Sequence, residues 1–344
     1  MSLVNYLIKR LLSLIPILIG VMVVAFILSR NMPGDPVTAY LGNTNFGDLE
    51  TYLHLYNQIR HQLWLDRPIH IQFYRYVKDL FTGNWGYSVS VNKGQDVWSL
   101  ILQRLPRTID IAIFSMLIAT FLGIKSGLIS AKHRNKSYDT FSRTLALIGA
   151  STPVFFLGML LQHYLGFQLR WFPATGFKNV AYTDPKNITG FRIIDALLSG
   201  EFYMVIDYSY HLILPVLCLS FVTIAGITRQ SRSSMLEVLE QDYIRTARAK
   251  GCEEKDVYRI HALKNSLLPT TNVIGLNLAG LLSGAILTDI TFGLRGIGKL
   301  LVDSILGSDY WVLNALVFVI TIMFVLIMLA VDIVYSILDP RIRY

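Results

Sequence analysis

The chain has 344 residues, 53% of them hydrophobic and only 16% charged, where soluble domains carry about 25% charged residues. That balance points to a membrane protein, and the two cysteines, Cys218 in an apolar run and Cys252 in a polar one, offer neither a disulfide framework nor zinc-ligand spacing. The net charge of +8 raises nucleic acid as a partner, which the placement of the basic residues must decide.

Lys9 and Arg10 precede an uncharged run, Leu11 to Leu28, of about 27 Å as a helix at ~1.5 Å per residue, enough to cross a bilayer. A cleaved signal peptide would have a shorter apolar core ending in small residues; this run ends in Ser29-Arg-Asn-Met-Pro-Gly-Asp-Pro36, so an uncleaved first helix is expected. Five further spans are predicted, roughly Ile109 to Ser130, Thr144 to Gln168, His211 to Thr228, Leu267 to Ile290 and Val312 to Leu338. The expected architecture is an all-α membrane protein of about six transmembrane helices, both termini on one side. It divides into residues 1–30 (amino-terminal end and first helix), 31–106 (an extracytoplasmic segment) and 107–344 (a five-helix core with a polar segment at 229–268).

The connecting segments alternate in charge. Lys9, Arg10, Lys132, Arg134, Lys136, Arg143, the basic residues of 229–268, Arg341 and Arg343 share one side, whereas 30–106, 169–210 and 291–311 are nearly balanced. By the positive-inside tendency the termini and the polar segment are cytoplasmic, in a cell membrane. The positive charge thus reports orientation, and nucleic acid falls away as a partner.

On the outer side, Ile69 to Leu80 has amphipathic periodicity, and Asp110 and Asp289 fall near outer helix ends, where water is expected to reach them. Gln162 is expected to bond to neighbouring helices. The fifth span carries small residues in stripes, Gly275, Ala279 and Ser283 at four-residue spacing and Gly280-x-x-x-Gly284, with Asn272 and Asn277 on the same helix. Small residues at this spacing permit close backbone approach, so the helix packs tightly on a neighbour or lines a pathway. Next, Gly293-Leu-Arg-Gly-Ile-Gly-Lys-Leu300 nearly matches a phosphate-cradling loop, but Leu300 replaces the required hydroxyl and no strand precedes it, so nucleotide binding there is rejected. No H-E-x-x-H or G-x-S-x-G arrangement supplies a reactive centre, and no catalytic, cofactor-binding or metal-ligating residue is expected.

The most informative stretch is the charged island from Met235 to Pro269 between two apolar runs. Its first half has helical periodicity, with Leu236, Leu239, Tyr243 and Ala247 on one face. Gly251 ends that helix after Arg248 and Lys250; Cys252 takes the next cap position; Glu253 and Glu254 open a second helix that buries Val257, Ile260 and Leu267. Two helices meeting at a glycine corner make a handle attached to the fourth and fifth spans.

Tyr243-Ile-Arg-Thr-Ala-Arg-Ala-Lys-Gly251, followed by Arg259-Ile-His-Ala-Leu-Lys-Asn-Ser-Leu-Leu-Pro269, resembles the coupling motif of the dipeptide/oligopeptide permease family, membrane subunits of binding-protein-dependent ABC importers. Pro33-Gly-Asp-Pro36, Leu65-Asp-Arg-Pro68, Arg104-Leu-Pro106, Pro153, His211-Leu-Ile-Leu-Pro215, Gly296-Ile-Gly298 and Leu301-Val-Asp303 follow in the family's order. Importers of this kind generally carry Glu-Ala-Ala where this chain has Arg245, Thr246 and Ala247. The resemblance implies a type I importer permease fold and a transport subunit that is not itself an enzyme. Its partners would be a homologous second permease, two cytoplasmic ATPases holding ATP and magnesium, and an extracellular solute-binding protein. It implies ATPase coupling through Arg245, Thr246, Ala247, Arg248, Ala249, Lys250, Gly251, Cys252 and Glu253, and a pathway for peptides or a similar solute, with oligosaccharides or metal chelates as other cargoes. A receptor or scaffold that binds a cytoplasmic regulator without transport is the competing reading; copurification of an ATPase separates the two.

Overall fold

A computed structural model describes residues 3–42, 48–284 and 286–338. The side chains of Lys9, Arg10, Ser283 and Gly284, and the whole of Arg341 and Arg343, lie outside the described residues. The described residues form helices and connecting turns, with one isolated bridge between Tyr87 and Asp96.

In chain order, α1 (Leu3–Arg30) is followed by three short elements, α2 (Pro36–Leu41), α3 (Leu49–Gln62) and α4 (Ile69–Thr82). Side chains set two of their starts. Asp35 accepts from the Val37 amide at 3.0 Å with Pro36 in the first helical position, and Asp48 accepts from the Thr51 amide at 2.9 Å. α5 (Val97–Lys132) runs 36 residues from its Asp96 cap, through Pro106 and position 107 without a break. The predicted second span is its carboxyl-terminal part.

The predicted third span is not one helix. It is α6 (Ser137–Ser151) and α7 (Val154–Leu161, continued by a π-helical segment Gln162–Gln168), bent by 100°. The cause is Pro153, which forces Thr152 into extended backbone (φ −84°, ψ 122°). After α8 (Arg192–Leu198) comes α9 (Phe202–Leu239), 38 residues, far longer than the expected His211–Thr228. The island holds α10 (Asp242–Ala249), α11 (Glu254–Asp256) and a π-helical segment (Val257–Ala262) that leads into α12 (Leu263–Gly284). α13 (Ile286–Phe292) is bent from α12 by 51°, and α14 (Ile297–Leu306) precedes α15 (Tyr310–Leu338). Among the described residues four helices are long and apolar enough to cross a membrane, or up to six spans if each bent pair counts as one.

The core of the bundle is the α5–α9 pair, and its cause is a row of small residues every fourth position of α5: Ser115, Ala119, Gly123, Gly127 and Ala131, all buried. A Cβ at Gly127 would lie 2.6 Å from the Thr228 carbonyl, and one at Gly123 2.8 Å from Ile227, so glycine lets the two backbones meet. Ser220 Oγ donates to the Ser115 carbonyl at 3.2 Å, adding a bond between the helices. This stripe was not singled out in the sequence, although its spacing is the same as that of α12.

At the end of the bundle away from the island, buried carboxylates organise the connections. Asp309 is fully buried; its Oδ2 accepts from Ser88 Oγ at 2.6 Å and from the amides of Val89, Ser90 and Val91 at 2.9, 3.0 and 3.3 Å. Asp289 accepts from the amides of Gly296 (2.8 Å) and Lys299 (2.7 Å), and Asp110 accepts from Tyr208 Oη at 3.1 Å. Asp110 and Asp289 are therefore buried, correcting the expectation that water reaches them. Each helix end is covered by another element that supplies the donors water would otherwise provide.

Candidate functional site

The island forms a compact projection where the carboxyl ends of α5 and α9 meet. Ile244 and Ala247 of α10 insert into a cluster with Ala131 of α5, Met235 of α9, Val257 and Ala262. Ile244 is fully covered, a gain of about 1.5–3 kcal/mol for such a side chain. Two expectations fail here. α9 ends at Leu239 and α10 begins only at Asp242, so the helical phase restarts: Ile244 points inward and Tyr243 is exposed, its hydroxyl accepting from Asn265 Nδ2 at 2.8 Å. Ile260 is 65% exposed, because the wider π-helical turn carries it away from the buried side that Val257 and Ala262 share.

The glycine corner does form. Gly251 has φ +81°, its amide donates to the Arg248 carbonyl at 2.9 Å, and the Cys252 amide donates to the Ala247 carbonyl at 3.2 Å. This pair of bonds is the Schellman closure of a helix, and the half-buried Cys252 packs on the same cluster as Ala247. Glu253 (φ −61°, ψ 142°), not Cys252, takes the cap position of the following helix. Arg248 clasps Glu254 across the corner, Nε to Oε1 at 2.7 Å and Nη2 to Oε2 at 3.4 Å.

The island residues thus divide. Ala247 and Cys252 face the protein, while Arg245, Thr246, Arg248, Ala249, Lys250, Gly251 and Glu253 are exposed. Arg245 pairs only locally, with Asp242 at 3.2 Å, and a Cβ at Gly251 would meet open space. The projection is anchored by Arg134 to Glu240 at 3.0 Å. Deeper in the bundle, Asp139, in the first turn of α6, is fully buried and accepts from Arg232 (2.6 and 2.8 Å), Ser130 Oγ (2.6 Å) and the Asn135 amide (2.9 Å). That clamp ties α5, α6 and α9 together. Sequence reasoning missed it, because the ion pair joins residues 93 positions apart.

On α12 the two small-residue stripes have different surroundings. Gly275 and Ala279 are buried, and a Cβ at Gly275 would lie 2.1 Å from Val331, so this stripe seats α12 on α15. Gly280 faces open space and Asn272 is exposed, whereas Asn277 is half-buried and donates to the Val273 carbonyl at 2.7 Å. Gln162 Nε2 donates to the carbonyls of Ala174 (2.9 Å) and Thr291 (2.7 Å), bonding to neighbouring elements as expected.

The loop that imitates a phosphate cradle is filled from within. Two of its amides, Gly296 and Lys299, point at the Asp289 carboxylate, the Ile297 amide donates to Thr108 Oγ1 at 3.0 Å, and Arg104 and Arg107 both donate to the Arg295 carbonyl at 3.1 Å. Beside it, Phe177 is held between the guanidinium groups of Arg107 (4.0 Å) and Arg192 (4.7 Å). Arg192 and Lys178 bind Asp184, and their hydrogen bonds hold its carboxyl down at about 2. Burial pushes the Asp195 carboxyl up, but hydrogen bonds from Thr189 and Gly190 outweigh it and hold the group low. Among the described residues no group of His, Cys, Asp and Glu side chains is arranged to hold a metal.

Comparison with known proteins gives a consistent answer. Residues 123–344 match the family described as binding-protein-dependent transport system inner membrane component, and residues 3–112 match the corresponding amino-terminal family. The chain is 40% identical to the dipeptide transport system permease protein DppB of Alkalihalophilus pseudofirmus, over 98% of this chain and 99% of that protein. It is 38% identical to the probable D,D-dipeptide transport system permease protein DdpB of Escherichia coli K12 (97% and 96%) and 35% identical to the oligopeptide transport system permease protein AppB of Bacillus subtilis (98% and 99%). In fold it is similar to a chain from inward-facing crystals of the MetNI methionine ABC transporter, with a TM-score of 0.53, 16% identity, and coverage of 70% of this chain and 97% of that one.

Proposed function

The chain belongs to the binding-protein-dependent transport system inner membrane component family and is a permease subunit of an importer; from that premise we propose that α10 and the Gly251 corner are where a partner ATPase drives it. The observation that carries this reading is the division of α10. Its apolar side is fixed to α5, α9 and the start of α12, while a row of charged residues around an unhindered glycine faces outward, its ion pairs confined to the corner itself.

The subunit pairs with a homologous second permease, two cytoplasmic ATPases dock on the two handles, and a solute-binding protein delivers cargo to the opposite side. The termini and handle are cytoplasmic, consistent with the alternation of basic segments. ATP and magnesium belong to the ATPases, and this chain supplies no catalytic group. A push on Arg245 to Glu253 is transmitted because the corner is closed by backbone bonds and seated by Ile244, so α10 moves with the ends of α9 and α12 instead of sliding over them. The exposed α12 face with Asn272 and Gly280 meets the second permease and lines the route between them. The cargo is a peptide, supported by relatives named as dipeptide and oligopeptide permeases along almost the whole chain.

The test is Gly251→Val in the reconstituted complex. Open space around Gly251 means no clash, but a β-branched residue at φ +81° is strained, so the corner must rearrange. Insertion and assembly are expected to persist while binding-protein-stimulated ATP hydrolysis is lost; normal stimulation would falsify the coupling role.

A further inference from the structure

At the end of the bundle opposite the handle, a cavity of about 440 Å³ lies between the carboxyl end of α1, α4 and the first turns of α15. The functional reading above makes no use of it. Its lining brings together polar atoms that are buried and have no partner: Arg30 Nε and Nη1, Arg75 Nη1, Tyr76 Oη, Gln72 Oε1 and Asn314 Oδ1. A buried polar atom is costly to leave without a partner, so this concentration in one place marks a site suited to a polar ligand.

The charges indicate which ligand. Arg75 has a carboxylate partner, Asp79 at 3.2 Å, and lies 4.2 Å over the Trp64 ring. Arg30 has none: its guanidinium rests between the rings of Phe26 (5.0 Å) and Tyr310 (5.3 Å). Asp79 is the one acid among the lining residues, which leaves the cavity one positive charge in excess. Three of the unpaired atoms are guanidinium nitrogens, whose planar fork matches a phosphate oxygen pair, and the Tyr76 hydroxyl can donate beside them. The unpaired carbonyl oxygens of Gln72 and Asn314 accept from hydroxyls. A ligand that combines a phosphate with neighbouring hydroxyl groups satisfies both sets.

Depth indicates the source. Arg30 closes the apolar stretch Leu12–Arg30 and Tyr310 opens the stretch Tyr310–Ile337, so the cavity sits where two spans end. Trp64, Tyr76 and Trp311 surround it, the side chains that favour the headgroup layer. We propose that this cavity binds the phosphate of an anionic, hydroxyl-bearing phospholipid headgroup, of the phosphatidylglycerol type, at the edge of the bilayer. Bound there, the lipid joins α1, α4 and α15 through Arg30, Arg75 and Asn314.

Native mass spectrometry of the full chain, delipidated in detergent and re-exposed to phosphatidylglycerol or phosphatidylcholine of identical acyl chains, tests this directly. The expected result is a preference for phosphatidylglycerol of about tenfold, the ratio that ~1.4 kcal/mol of charge-assisted bonding gives. Arg30→Gln should reduce the ratio to near one and Arg30→Lys should restore part of it; Asn314→Asp, which adds a second carboxylate to the cavity lining and cancels its excess positive charge, should abolish retention even if Arg30→Gln does not fold. Addition of inorganic phosphate separates the sources: unchanged lipid retention assigns the site to the headgroup, and displacement assigns the same phosphate chemistry to a free anion. Equal retention of the two lipids by the unaltered chain, or an undiminished preference in folded Arg30→Gln and Asn314→Asp proteins, overturns the proposal.

Discussion

The two ends of this bundle are fixed by different balances of bond. At the handle end the fixed points are side chain to side chain: Arg232 on Asp139, Arg134 on Glu240, Arg248 on Glu254, and Ile244 in an apolar socket. At the opposite end they are carboxylate to backbone: Asp309 gathers the amides of residues 89 to 91, Asp289 those of Gly296 and Lys299, and Asp195 those of Thr189 and Gly190. Side-chain clamps hold helices as bodies and leave the outer surface of the connection free to present charges. Backbone clasps dictate the path of the connection itself. The handle end is thus built as a mounted part, suited to the push proposed for it, and the opposite end is built as a set of fixed loops.

Removing a clasp should hurt more than removing any part of the handle. Asp309→Ala leaves one buried amide, two partly buried amides and the buried Ser88 hydroxyl without their acceptor; at ~1–3 kcal/mol for each unsatisfied group the loss should reach about 4 kcal/mol, seen as little folded protein by fluorescence-detected size exclusion. Near-normal yield would mean the clasp is incidental. Asp139→Asn tests the strongest clamp at the other end, where an uncompensated Arg232 should cost about 3 kcal/mol and lower the melting temperature in detergent. On α12, Gly275→Val should destabilise by about 1–3 kcal/mol through its clash with Val331, whereas Gly280→Val, in open space, should leave stability unchanged and slow solute uptake. Equal thermal effects would erase the distinction between the two stripes. Gly251→Ala should cost about 1–2 kcal/mol from left-handed strain, and Gly251→Asn less, with ATPase stimulation following the same order. The smallest effect belongs to Asp184, half exposed and bound by Arg192 and Lys178. Its carboxyl is depressed, so its contribution is complete above the unfolded value near ~4 and is lost as pH falls through about 2. Pepsin cleavage between residues 177 and 192 should rise over that interval, and Asp184→Asn should remove the pH dependence.

Much of the bundle was legible in the sequence. The apolar runs located the four long apolar helices and the two bent pairs, and Gly251 behind Arg248 and Lys250 located the corner, because a helix end of that kind depends on residues within one turn. The errors share a cause, which is that the deciding interaction was too local or too distant for periodicity to register. Pro153 bends the third span through a constraint on its single predecessor. The gap at Glu240 and Gln241 reset the phase and exchanged Tyr243 for Ile244, and the π-helical turn did the same to Ile260. The clasps by Asp289 and Asp309 and the Asp139–Arg232 clamp join residues from 7 to 221 positions apart. Nothing at either partner announces such a pair. The α5 stripe, by contrast, stands in plain four-residue spacing and was available to the same reasoning that found the one on α12.

The grip of Asp309 on residues 88 to 91 has a consequence for how this chain can be divided. Family resemblance is recognised in two blocks, one ending at 112 and the other beginning at 123, as though the first were an attachment that could be exchanged. Yet the second block carries a buried anion, and the four donors to its Oδ2 lie in the first. A graft that transplants either block alone separates a lock from its key, and a viable chimera between relatives has to carry both across together.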